Sequence, residues 1–120
     1  MLYTSYFSKA DKLPSNICAI SIAGWPPKGW KGPQYKVLSP SWDILSEWKQ
    51  DHDDEKYIKR FNEEILGPLS PENVVKIIKQ IAGKKDACLC CFEKPDDFCH
   101  RHLVAKWLTE NGFECKEYEF

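Results

Sequence analysis

Ala87-Cys88-Leu89-Cys90-Cys91-Phe92 is a short apolar run set between Lys84-Lys85-Asp86 and Glu93-Lys94-Pro95-Asp96-Asp97. That pattern reads as a strand buried on both faces, the kind found inside parallel sheets. The next apolar set, Leu103, Val104, Trp107 and Leu108, has helical spacing and stops at Asn111-Gly112, a common helix C-cap. Between strand and helix lies Cys99-His100-Arg101-His102. Where a strand hands over to a helix in an α/β sheet, the crevice beyond the strand's carboxyl end is the usual ligand site, because helix N-termini present unpaired N–H groups there. The fold class and the place to look for chemistry therefore come from one stretch.

Working outward, Met1 to Phe7 is rich in Tyr, Thr and Phe and fits a first strand, with Lys9 to Asn16 a polar connector. Ile17 to Ala23 is a second apolar run that stops at Gly24 and reads as another inner strand. Ser41 or Asp43 can cap a helix presenting Ile44, Leu45 and Trp48. After Asp51-His52-Asp53-Asp54, a second helix carries Tyr57, Ile58, Phe61 and Ile65 and stops at Gly67-Pro68. Ser70 suits an N-cap and Pro71 the first helical position of a third helix, whose Val74, Val75, Ile77, Ile78 and Ile81 form a broad apolar face ending at Gly83. Phe113 to Phe120 fits a last strand at or near a sheet edge. Strands separated by helices imply an α/β fold with a mostly parallel sheet.

At 120 residues the chain suits one domain, able to bury roughly two-thirds of its unfolded surface. A net charge of -1 offers no global attraction to nucleic acid or anionic membrane, so any polyanion site must be local. No segment has the length of a membrane span, and the first residues lack the features of a secretion signal. The expectation is a cytoplasmic protein with no membrane partner. Its six cysteines are then expected to be free or metal-bound thiols rather than a disulfide framework.

Side chains alternate along a strand, so Cys88 and Cys90 share one face and Cys91 and Glu93 the other. Cys88 and Cys90, with Cys18 and Cys115, read as small apolar core residues. Glu93 stands at the mouth of the crevice, where Arg101 is a suitable bidentate partner. Cys99 at the helix N-terminus, beside His100 and Arg101, has the surroundings that favour thiolate. Cys99, His100 and Glu93 are accordingly the candidates for catalysis. Cys91, Glu93, Cys99, His100 and His102 include zinc-type ligands, but C-H-x-H at a helix start sends neighbouring residues in different directions. Neither a metal nor a cofactor is expected.

The stretch Gly24-Trp25-Pro26-Pro27-Lys28-Gly29-Trp30-Lys31-Gly32-Pro33-Gln34-Tyr35-Lys36 is too rich in breakers for helix or strand. If the strands at 17–23 and 87–92 are parallel neighbours, this loop and Arg101 reach the same end of the sheet. Trp25, Trp30 and Tyr35 then offer stacking faces, while Lys28, Lys31 and Arg101 offer charge for phosphate. With Cys91 they make up the expected ligand-binding set, for a nucleotide or a nucleic-acid end. Asp96 and Asp97 oppose an anion by capping the same helix. Other readings of the same residues are a non-enzymatic module with a structural Glu93–Arg101 pair and a protein partner on the tryptophan loop, or a metal or thiol-redox site.

Cys91-x-Glu93 followed by Phe98-Cys99-His100-Arg101 and Leu103 to Leu108 resembles the signature of the domain of unknown function 488 (DUF488) family of bacterial and phage proteins. The Gly24 to Trp30 loop, Leu38-Ser39-Pro40, and Tyr57 to Phe61 with Ile65-Leu66 are similar to one branch of it, so the resemblance spans nearly the whole chain. It implies a single-domain, three-layer α/β/α sandwich of Rossmann-like character, with the motif at one end of the sheet on Cys91, Glu93, Cys99, His100 and Arg101. It implies no agreed activity. Many relatives carry an Asp and an Arg where this chain has Ala23-Gly24-Trp25, a departure that weakens any catalytic scheme needing those two groups.

Overall fold

In the computed structural model, which describes residues 1–92 and 98–120, the reactive strand is the hub of the sheet. The strands are β1 (Leu2–Tyr6), β2 (Ile17–Ser21), β3 (Asp86–Cys91) and β4 (Cys115–Glu117), and they lie in the order β2-β3-β1-β4. Every pairing is parallel. The helices are α1 (Phe7–Ala10), α2 (Trp42–Asp51), α3 (Asp54–Arg60), α4 (Pro71–Ala82) and α5 (His100–Glu110). This is a single-domain α/β fold with a wholly parallel sheet, and the parallel pairing of β2 with β3 that the sequence reading required is present.

The register sorts the strand residues by face. Leu2 pairs with Ala87 and Cys115, Thr4 with Leu89 and Glu117, and Tyr6 with Cys91, while Leu89 pairs with Ile20. Paired residues in a sheet share a face, so Leu2, Ile20, Ala87, Leu89 and Cys115 face one way and join the core cluster with Val74, Val75 and Ile78 of α4 and Val104 and Leu108 of α5. Burial of the leucine, isoleucine and valine side chains among them stabilises a fold by about 1.5–3 kcal/mol each. Toward the carboxyl end the same face turns polar and reactive, carrying Thr4, Cys91 and Glu117. The opposite face presents the small residues Ser5, Ala19, Ser21, Cys88 and Cys90.

Local chemistry explains the helix boundaries. Ser41 Oγ accepts from the Ile44 amide at 3.3 Å, an Asp53 carboxylate oxygen accepts from the Lys56 amide at 3.1 Å, and Ser70 Oγ accepts from the Asn73 amide at 3.3 Å. Each satisfies an amide that a helix start leaves unpaired. Pro71 follows Ser70 at the first helical position, where its missing N–H costs nothing.

Several expectations change. The run at 17–23 reads as an inner strand in sequence, but β2 is an edge; an apolar run looks inner when one edge is covered, and Gln34 from the following loop bridges to Ser21. Ile22 still donates to the Cys90 carbonyl at 3.0 Å, which extends the pairing by one residue. The connector after β1 begins with the short α1. The second helix does not run evenly to Gly67: after Arg60 it widens into a π turn over Phe61–Leu66, with the Gly67 amide donating to Asn62 at 2.8 Å. The most consequential change concerns cysteine, because Cys91 and Cys99 are joined as a disulfide while Cys18, Cys88, Cys90 and Cys115 are free. No helix among the described residues is long and apolar enough to cross a membrane.

Candidate functional site at the carboxyl end of the sheet

Cys91 ends β3, and Cys99 is the N-cap of α5 with an extended backbone, φ -152° and ψ 144°. This extended residue resolves the difficulty posed by C-H-x-H. Cys99 is still outside the helix and turns back toward Cys91, while His100 is the first helical residue. Their side chains therefore converge instead of diverging, and Cys99 Sγ lies 3.9 Å from His100 Nδ1.

His100 is buried, and its Nε2 is 2.8 Å from the Ile22 carbonyl. A carbonyl only accepts, so Nε2 carries the proton and Nδ1 presents its lone pair to the sulfurs. Burial pushes the imidazole down to about 4, with the neighbouring Arg101 charge acting in the same direction. The ring is neutral near pH 7. Phe61 of the π turn packs on it, with ring centroids 5.8 Å apart.

Arg101 is fully buried. Its Nε and Nη2 each donate at 3.0 Å to the two carboxylate oxygens of Glu117, and Nη1 donates to Cys91 Sγ at 3.0 Å. Thr4 Oγ1 donates to the same carboxylate at 2.7 Å, and the guanidinium lies 5.8 Å from the centre of the Tyr6 ring. In sequence, Glu93 is the expected partner of Arg101. Glu93, Asp96 and Asp97 lie outside the described residues; among the described ones, Glu117 of β4 is the carboxylate on Arg101.

Above the sulfurs opens a cavity of about 380 Å³. Cys91, Cys99 and His100 form part of its lining, with Trp25, Trp48, Tyr57, Phe92 and Phe98 as aromatic walls and Lys49 as a cation. The walls hold one another. Phe98 packs on Tyr57 edge-on at 4.9 Å and on Trp48 at 5.7 Å, and Trp48 Nε1 donates to Asp54 at 2.7 Å, which ties α2 to the start of α3. Of the ligand-binding residues expected from sequence, Trp25 and Cys91 line this space. Trp30 packs on Phe7, with ring centroids 5.1 Å apart, and its Nε1 donates to the Pro33 carbonyl at 3.2 Å. Tyr35 leans on the core, and Lys28 and Lys31 are exposed on the loop outside the lining. The cavity's other aromatic residues escaped the sequence reading because helical spacing made Trp48 and Tyr57 look like ordinary core.

A family model described as the Active DUF488-N3 subclade matches residues 6–112. The chain belongs to the DUF488 family. The match takes in both cysteines, His100 and Arg101, so this DUF488 site falls inside the shared region. No curated protein and no solved structure matches the chain. The DUF488 site offers a sulfur pair, a neutral imidazole with a free lone pair aimed at it, and a buried guanidinium–carboxylate pair behind one sulfur.

Proposed function

We propose that this DUF488 protein is an enzyme that takes a flat, ring-bearing ligand carrying phosphate, a nucleotide or nucleic-acid end, into the aromatic cavity and acts on it with the Cys91/Cys99/His100 cluster. The observation that carries the reading is the convergence of those three side chains in the lining of an aromatic-walled cavity at the carboxyl ends of β2 and β3. Aromatic faces stack on any nucleobase, and Lys49 in the lining supplies charge for a phosphate. The family model's description of its subclade as active also supports an enzyme.

Within the cluster the roles divide by surroundings. Once the disulfide is reduced, the guanidinium N–H held against Cys91 Sγ favours the thiolate on Cys91. Cys99 is then the partner thiol beside the Nδ1 lone pair of His100. Arg101, fully enclosed and bonded to Glu117, serves this scheme as a positioning residue for Cys91.

Thermal unfolding of the reduced chain against inorganic phosphate, a nucleoside, a nucleoside monophosphate and a short oligonucleotide tests the reading. At a hundred times its dissociation constant a ligand adds ~2.7 kcal/mol, or several degrees for a domain of this size. The expected result is a rise with the monophosphate or oligonucleotide that exceeds the rise with phosphate alone and falls in Trp25→Ala and Lys49→Ala. No rise with any of the four overturns it.

A second reading rests on the exposed Trp25 and Trp42, 69% and 59% accessible, whose rings meet edge-on at 6.2 Å. They suit a protein-binding patch. Trp42 is outside the cavity lining, so loss of a partner in Trp42→Ala with ligand binding intact favours the patch.

A further inference from the structure

We propose that, when reduced, Cys91, Cys99 and His100 form a three-residue site for a thiophilic divalent cation of the zinc class, with the fourth coordination position facing the cavity. The inference deepens the functional reading and rests on it for the cavity as the working site.

The ligand atoms, the two sulfurs and one imidazole nitrogen, all lie within 4.8 Å of one another, and all three residues are buried. Two thiolates and one imidazole are a ligand set that zinc uses where it keeps an open position for substrate or water. The imidazole is oriented as a ligand requires. Its Nε2–H is held by the Ile22 carbonyl at 2.8 Å, the kind of outer contact that fixes the tautomer of metal-bound histidines and leaves the other nitrogen to coordinate.

The surrounding charge also fits. Two thiolates balance a divalent cation, and the guanidinium behind Cys91 is already balanced by the two-armed contact with Glu117. Cys88 and Cys90 bring a second pair of sulfurs to 4.0 Å but have no histidine or third ligand beside them among the described residues.

Loading requires reduction first. An external dithiol gives two electrons and two protons to the Cys91–Cys99 bond, which breaks to two thiols while the dithiol closes to its own disulfide. The cation then displaces both thiol protons to solvent and accepts the Nδ1 lone pair, and His100 keeps its Nε2 proton on Ile22.

The full chain, reduced, freed of dithiol and kept anaerobic, is titrated with Co²⁺ as a spectroscopic probe, followed by Zn²⁺. The expected result is one Co²⁺ per chain with thiolate-to-cobalt charge-transfer absorption, displaced by Zn²⁺, unchanged in Cys88→Ser and Cys90→Ser, and weakened about tenfold or more in His100→Gln. Absence of that absorption in the reduced wild-type chain overturns the proposal, as does unaltered affinity in Cys91→Ser and Cys99→Ser. Should either serine variant fail to fold, alkylation mapping of the wild-type chain decides: metal-dependent protection of Cys91 and Cys99 supports the site, and protection of Cys88 and Cys90 instead overturns it. The nucleotide panel, run with and without Zn²⁺, keeps the two ideas separate. Cobalt binding without any nucleotide shift leaves the metal site standing and removes the ligand reading; the converse removes only the metal.

Discussion

Arg101 and Glu117 are locked by both arms of the guanidinium, at 3.0 Å each, with the arginine side chain fully enclosed and the glutamate 26% exposed. The pair joins the first turn of α5 to the edge strand β4 and leaves one guanidinium nitrogen to hold Cys91. Removing one partner strands a buried charge, which typically costs about 3–5 kcal/mol. Because Glu117 keeps some contact with water, Glu117→Ala is expected to cost roughly 2–3 kcal/mol, and Glu117→Gln less. Urea unfolding of the variants measures this, and a loss below about 0.5 kcal/mol in Glu117→Ala contradicts the assigned role.

Metal-free protein should lose stability in mild acid through His100. Burial lowers its imidazole to about 4, against about 6.5 in an unfolded chain. Between those values the unfolded chain binds a proton that the folded one refuses. Stability from this group is therefore fully present above about pH 6.5 and declines as the pH falls toward about 4, by roughly 3 kcal/mol in all. Urea midpoints taken from pH 7 to pH 4 should show the decline in the wild type and a flatter profile in His100→Gln.

Denatured chain prepared without reductant should give four titratable thiols, from Cys18, Cys88, Cys90 and Cys115, and six after reduction. The bond spans a sequence separation of eight, so its loss should lower stability by no more than roughly 2–3 kcal/mol. The core cluster contains neither cysteine of the bridge, and the reduced chain is expected to remain folded by circular dichroism. A chain that unfolds on reduction would show that the bond, not the core, holds the site end together.

Gly83 ends α4 at φ 66° and ψ -122°, and a Cβ placed there meets nothing within 4 Å. The cost of a side chain is thus conformational alone. Gly83→Ala should lose about 1–3 kcal/mol, and Gly83→Asn should do little better, because this ψ lies outside the left-handed helical well that asparagine tolerates. Equal stability of wild type and Gly83→Ala by thermal unfolding would refute this.

The parts of this structure legible in sequence are those set by near neighbours. Ser41, Ser70 with Pro71, and Gly83 announced the ends of α2 and α4 because capping is chemistry within four residues. The apolar run before Phe92 announced β3 for the same reason. The partner of Arg101 was out of reach, since Glu117 arrives beside it only when β4 pairs with β1. Trp48 and Tyr57 carry the helical spacing of core residues, and nothing in that spacing distinguishes a wall of a cavity from a filler of one. In sequence, Cys99 and His100 read as two neighbouring residues of a helix start. One of them sits a step outside the helix, and that single extended φ/ψ pair reverses the inference about where the side chains meet.

A sheet whose pairings are all parallel forbids any strand from pairing with its neighbour through a tight turn. Leu2 waits for Ala87 and Cys115, so β1 has no lasting partner until most of the chain is available. Contacts this distant in sequence make folding slow. The reactive end shares that dependence: the arginine on α5 meets the glutamate only when β4 lies beside β1. Until then Cys91 and Cys99 are free to find Cys88, Cys90 or each other, and the kinetics of refolding under oxidising conditions should be heterogeneous where those under reducing conditions are simple.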